Sequence, residues 1–182
     1  MTHPSIPFRK NWGKRTEPRI GVMLHYDASA RDQSAILWFT REGCNVSYNW
    51  LVMDSGNIIP IAPHDARAWH AGCCKSDDPR LVYRDGNSAF YGLSIAATEG
   101  ELATREAKRS VATMCLHVFM VEGWPVADVW RIVSHRAHAV YCPGHARAGQ
   151  HGRKSDPEGP DRAHPVMSTN EIRGLVAARN IT

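Results

Sequence analysis

The chain has 182 residues, enough for one domain with a sizeable core and somewhat short for two. At 43% hydrophobic and 22% charged residues its composition is that of an ordinary soluble globular protein, and no apolar run approaches the length a membrane span needs. A net charge of +4, with pI near 8.9, is spread along the chain without a run of five or more cations. That balance argues weakly for an anionic partner and does not choose between nucleic acid and a bacterial wall polymer.

Residues 1–18 are basic, carry three prolines and lack the apolar stretch of a secretory signal, so they read as an arm lying on a single domain that spans 19–182. "RIGVMLHYD" is then a short buried strand delivering His25 to its end. "SARDQSAILWFTRE" predicts a short helix with Ser29 or Asp32 as N-cap and Gly43 as its stop. "VSYNWLVMDSGNIIPIA" is a hairpin, its two β-rich runs flanking Asp54-Ser55-Gly56-Asn57. Residues 64–92 have no period and many turn formers, which marks a long surface loop, and "LSIAA" follows as a core strand. From Thr104 the apolar positions Ala107, Val111, Met114, Cys115, Val118 and Phe119 share one helical face, ended by Gly123 and Pro125. "WRIVSH" is a last strand carrying His135 at its end, residues 136–167 are aperiodic, and "STNEIRGLVAARN" is a closing helix capped by Ser168 or Thr169. Alternation of strands and helices predicts an α/β domain: one central mixed sheet with helices on both faces.

Five cysteines (Cys44, Cys73, Cys74, Cys115 and Cys142) form an odd set without a CxxC pair. They indicate neither a disulfide framework nor a ribbon-type zinc site, and they read as reduced thiols of a cytosolic protein. Of the ten histidines, His3, His64, His117, His145 and His164 lie in tails, loops or a helix flank without a partner at metal spacing. His25 and His135 differ, each following an apolar run, although two histidines that merely terminate two strands would look the same. Catalytic zinc takes three protein ligands and leaves a position for water, whose pKa it lowers toward about 7. Asp156, in the Gly- and Pro-bounded stretch "HGRKSDPEGP", could be the third ligand, and Lys154 would bring an ammonium to the place where charge develops on a carbonyl under attack.

Six stretches, "GVMLHYDAS", "VSYNWLVMDSGNIIP", "ARAWHAG", "YGLSIAATEG", "IVSHRAHA" and "GRKSDPEGP", stand in the order and with approximately the separations of the type 2 N-acetylmuramoyl-L-alanine amidases. The chain resembles that family, which includes phage lysins, cell-wall recycling amidases and peptidoglycan recognition proteins, over roughly residues 19–160. The resemblance implies Zn2+ held by His25, His135 and Asp156, with Lys154 polarising the scissile carbonyl. It also implies Tyr48 facing the water or the substrate oxygen, and His70, supported by Trp69, in the substrate groove. The long loop, with Asp77, Asp78 and Arg80, would line that groove.

Two positions depart from the family pattern. Some phage members use a cysteine as third ligand, and Cys142 lies seven residues after His135; Asp156 is the better match, because Lys154 stands two positions before it where Val140 stands before Cys142. Recycling members carry a glutamate on the strand that "LSIAATEG" resembles, where this chain has Thr98, with Glu99 one further on as a possible general base. The implied activity is hydrolysis of the lactyl–L-alanine amide of peptidoglycan by the catalytic domain of a phage endolysin. Such an enzyme would be made in the host cytoplasm, act on the wall after release, and work as a monomer without membrane insertion. The alternatives are a cytosolic anhydromuropeptide-recycling amidase and a non-catalytic peptidoglycan-binding module. Nucleic acid ranks lower, since no basic helix with interleaved aromatics occurs.

Overall fold

A computed structural model describes residues 11–28, 32–98, 100–158 and 166–179. The first strand, β1 (Trp12–Gly13), pairs antiparallel with the later β5 (Arg67–Ala68), so the described end of the arm is stitched to the domain rather than merely laid on it. β2 (Gly21–Tyr26) is buried at all six positions, as a strand covered on both faces should be. α1 (Asp32–Thr40) follows, then β3 (Trp50–Val52) and β4 (Ile58–Pro60) form the expected hairpin, with Gly56 at φ 83° in its turn. The long loop is not structureless. Besides β5 it holds a one-turn helix, α2 (Gly86–Ala89), capped by the Asp85 carboxylate on the Asn87 N–H.

β6 (Phe90–Ile95) leads to α3 (Arg105–Glu122), which starts on the Thr104 side-chain cap and stops at Gly123 in the left-handed conformation. A 3-10 turn over Val126–Arg131, which has no apolar period to announce it, precedes β7 (Ile132–Ser134). A one-turn helix, α4 (His135–His138), begins at once, and α5 (Thr169–Ala178) closes the described chain on its Ser168 cap. Among the described residues no helix is long and apolar enough to cross a membrane.

The five-stranded sheet has the order β4-β3-β6-β2-β7, parallel except for the β3–β4 hairpin, which makes it mixed. Alternation along the strands sorts the core. Val22, Leu24, Tyr91, Leu93, Ile95 and Ile132 point to one face, where α3 and α5 bury Val111, Cys115, Val118, Ile172 and Val176 against them. Each aliphatic side chain buried in this layer contributes about 1.5–3 kcal/mol relative to exposure. The opposite face carries Leu51 and Met53 under Ala35 and Phe39 of α1, and Met23 and Val133 under Ala71 and Leu81 of the long loop. By the same alternation His25, two residues after Met23, lies on this second face.

Cys73 and Cys142 are joined in a disulfide, which corrects the reading of all five cysteines as reduced. Their pairing was hidden because 69 positions separate them, and only folding of the loop against residues 139–142 brings them together. Cys44 and Cys115 are buried free thiols and Cys74 is half-buried.

Candidate functional site

β2 and β7 are parallel neighbours with Leu24 opposite Ser134, so their C-terminal ends set His25 beside His135, ring centroids 4.6 Å apart. Asp156 arrives from the distant "GRKSDP" stretch. Its Oδ2 lies 2.8 Å from His25 Nδ1 and 3.0 Å from His135 Nδ1. All three residues are buried, and their donor atoms lie within 4.8 Å of one another, close enough to hold one metal ion.

The outer hydrogen bonds decide which atoms face inward. The Ala71 carbonyl can only accept, so His135 Nε2, 3.0 Å away, carries the hydrogen and a neutral ring presents the Nδ1 lone pair to Asp156. The Phe90 carbonyl acts likewise on His70 Nε2 at 3.3 Å, leaving His70 Nδ1 to accept from His25 Nε2–H at 2.9 Å. His25 Nδ1 is therefore a lone pair as well. Two imidazole lone pairs and a carboxylate oxygen facing one another at about hydrogen-bond distance repel unless a cation lies among them. The donor set thus fits a divalent ion of the zinc type, and the carbonyls of Ala71 and Phe90 fix the tautomers it needs.

Electrostatics agree. Burial, followed by the charge of His135, pushes His25 down to about 4, so at neutral pH this ring is unprotonated. Burial, followed by the charges of His25 and His135, holds His70 well below the usual histidine range. Burial works to raise the Asp156 carboxyl, but the adjoining His135 and His25 rings outweigh it and hold the group well below the usual carboxylate range.

A cavity of about 260 Å³ opens beside this set, lined by Asp27, Trp38, Phe39, Tyr48, His70 and Lys154 among others. Tyr48 is buried with its ring 4.9 Å from that of His25, and burial followed by the charges of Asp156 and Asp27 raises its hydroxyl, so it stays protonated. Lys154 is exposed in the same wall. Trp69 is 41% exposed and is not part of that wall; its backbone exchanges hydrogen bonds with Ser47. Asp77 and Asp78 line a different cavity of about 480 Å³ between α4 and α5. Cys142 is occupied by its bond to Cys73, and Glu99 lies outside the described residues.

Several residues that build the site are not among those the sequence singles out. The Asn87 side-chain oxygen accepts from the backbone N–H of both His70 and Ala71, at 2.8 and 2.7 Å, and so holds the segment that positions both histidines. Arg153 ties the carbonyls of Ala71, Cys73 and Val140 together. Gly92 leaves room for His70: a Cβ there would stand 2.7 Å from the ring. A glycine inside a strand is a readable sign of such close approach. Asn87 gives no comparable sign.

Two imidazoles and a carboxylate, buried beside a cavity at the C-terminal edge of a mostly parallel sheet, are a donor set that could hold a metal ion with a position left open toward the cavity. The chain belongs to the N-acetylmuramoyl-L-alanine amidase family, whose model matches residues 15–159, and is thereby an amidase-class hydrolase directed at peptidoglycan. A search of curated protein sequences finds no match. Among solved structures, the fold is similar to that of a selenomethionine derivative of AmpD, with TM-score 0.68 and 19% identity over 91% of this chain and 90% of that one. It is also similar to AmpDh3 from Pseudomonas aeruginosa in complex with anhydromuramic pentapeptide, with TM-score 0.61 and 18% identity over 96% of this chain and 63% of that one. A third, the catalytic domain of XlyA, has TM-score 0.52 and 16% identity over 72% of this chain and 80% of that one.

Proposed function

We propose that the protein is a zinc-dependent N-acetylmuramoyl-L-alanine amidase, the catalytic domain of a phage endolysin, which hydrolyses the amide between the lactyl group of N-acetylmuramic acid and L-alanine. The observation that carries this reading is the convergence of His25 Nδ1, His135 Nδ1 and Asp156 Oδ2 beside a cavity, with the tautomers fixed from behind. Zinc held by those three residues would supply Lewis-acid polarisation of the carbonyl and an acidified water. The chain's own groups do the rest. His70 holds the far nitrogen of His25 and keeps its Nδ1 directed inward. Lys154, with its ammonium in the cavity wall, stabilises negative charge as it develops on the carbonyl oxygen. Tyr48 keeps its proton and donates a hydrogen bond to the same oxygen or to the attacking water. Phe39 and Val46 give the wall an apolar lining that thins out competing water.

The Cys73–Cys142 disulfide supports an oxidising working environment, which fits an enzyme made in the host cytoplasm and acting on the wall after release. A second reading is a cytosolic recycling amidase, suggested by the anhydromuramic pentapeptide bound to the similar AmpDh3; the disulfide weighs against it.

The test is digestion of intact sacculi by the zinc-loaded and the chelator-treated protein, followed by mass analysis. Free stem peptides and uncut glycan, released only with zinc, are the expected products. Lys154→Ala should slow release by roughly 10²–10³-fold with metal content unchanged. His135→Ala should lose both metal and activity. Cleavage of soluble anhydromuropeptides without attack on sacculi would turn the assignment to recycling, and binding without release would turn it to a recognition module.

A further inference from the structure

Helix α1 carries an apolar excess that its packing does not use. The run Ala35-Ile36-Leu37-Trp38-Phe39 is hydrophobic all the way round, whereas a surface helix ordinarily shows one apolar stripe. Ala35 and Phe39, four apart and so on one face, are buried against Leu51, Met53 and Ala96 of the sheet layer. Leu37 and Trp38 are left outside, 67% and 39% exposed. Tryptophan is on average a well-buried residue, so an indole left this exposed beside a cavity marks a surface that meets something.

Trp38 belongs to the wall of the cavity that opens beside His135 and Asp156. The Arg41 guanidinium lies over one face of its indole, 3.2 Å from the ring centroid, and so braces the ring. The other aromatic side chains in that wall, Tyr26, Phe39 and Tyr48, are 8%, 2% and 7% exposed, so Trp38 supplies the accessible aromatic surface. The cavity therefore joins two kinds of chemistry. Its wall combines Lys154 and the His135–Asp156 pair with an accessible indole braced by a guanidinium, and includes Val46 and Asp27.

We propose that Trp38 is a specificity-determining residue, on which the pyranose ring of the muramoyl unit stacks while the scissile amide lies over His25, His135 and Asp156. This rests on the amidase reading above and names the part of the substrate that α1 takes. A pyranose offers a flat apolar C–H face with polar hydroxyls around its edge, which is what an indole in a cavity wall that also carries a carboxyl and an ammonium complements. The small stem residue next to the bond, alanine, presents no such face.

The experiment compares Trp38→Ala and Trp38→Phe with the wild type on two soluble substrates, an N-acetylmuramoyl dipeptide and the corresponding N-lactoyl dipeptide without the sugar. Calorimetric titration of zinc-loaded protein with N-acetylmuramic acid, and with lactate as its sugar-free counterpart, runs alongside. For the muramoyl substrate Trp38→Ala should raise KM roughly ten-fold with kcat little changed, and Trp38→Phe should restore most of it. On the lactoyl substrate the variants should match the wild type, and N-acetylmuramic acid should bind roughly ten-fold more weakly to Trp38→Ala while lactate binding is unchanged. Equal losses on both substrates, or unchanged binding of N-acetylmuramic acid, would overturn the proposal. Failure of the amidase reading looks different: no variant would cut either substrate, while Trp38-dependent binding of the sugar would still support a stacking site on α1.

Discussion

Gly92 shows how little slack the site has. It lies on the site-facing side of β6 between Phe90 and Ser94, and the His70 ring occupies the space a methyl group would need. In Gly92→Ala the added Cβ, 2.7 Å from the ring, must push His70 away from His25 Nε2 and from the Phe90 carbonyl. Displacements near 1 Å at positioned groups cost up to about 10²-fold in rate, so kcat/KM on a muropeptide should fall at least ten-fold while the far-ultraviolet circular dichroism is retained. Full activity in Gly92→Ala would show that His70 does not set the tautomer of His25. The placing of His25 and His135 at neighbouring strand ends was legible in the sequence because each ends an apolar run, and Asp156 came forward as their partner through the family resemblance, in which a lysine stands two positions before the third ligand. The groups that orient them were not. The carbonyls of Ala71 and Phe90 are backbone atoms that every residue has, and Asn87 is an ordinary loop residue until folding aims its oxygen at two N–H groups.

The elements divide in the same way. Helix α3 was readable because six of its apolar side chains repeat at helical spacing between a threonine cap and a glycine stop, all of it local information. The contents of the long loop were not, since β5 takes its partner from Trp12 and α2 is a single turn held by one aspartate. The same holds for the junction of the loop with residues 139–142. There Val140 N–H bonds to Cys73 O, Lys75 N–H to His138 O, Arg153 bridges three carbonyls, and the disulfide closes the set. Closing a loop whose cysteines stand 69 positions apart stabilises by roughly 2–4 kcal/mol, chiefly by restricting the unfolded chain. Cys142→Ser combined with Cys73→Ser should therefore lower Tm by roughly 5–15 °C in a thermal scan. Because Arg153 and the backbone bonds remain, activity at room temperature should persist. Reductant should shift the wild type by the same amount and leave the double variant unmoved. A wild-type Tm indifferent to reductant would mean that the sulfurs are not joined in solution.

Taken as one body, the molecule is a device for bringing distant pieces of chain to one edge. Parallel pairing of β2 with β7 guarantees that both C-terminal ends emerge on the same side, and Asp156, 131 positions from His25, closes the triangle from a segment outside the sheet. Residues so far apart in sequence are assembled only in the folded state, so if they hold a metal as proposed, its binding and folding should reinforce each other. The mixed sheet covered on both faces followed from the alternation of apolar runs, and the family resemblance from six short stretches in order. The exposed half of α1 did not follow, because an apolar run does not say which of its members the sheet will cover. Zinc X-ray absorption on the stoichiometrically loaded protein reads the proposed ligand set most directly, without reference to activity. It should find one zinc per chain with nitrogen and oxygen at about 2.0–2.2 Å, no sulfur near about 2.3 Å, and loss of the bound ion in Asp156→Ala. A sulfur neighbour, or full zinc retention in Asp156→Ala, would contradict that ligand set.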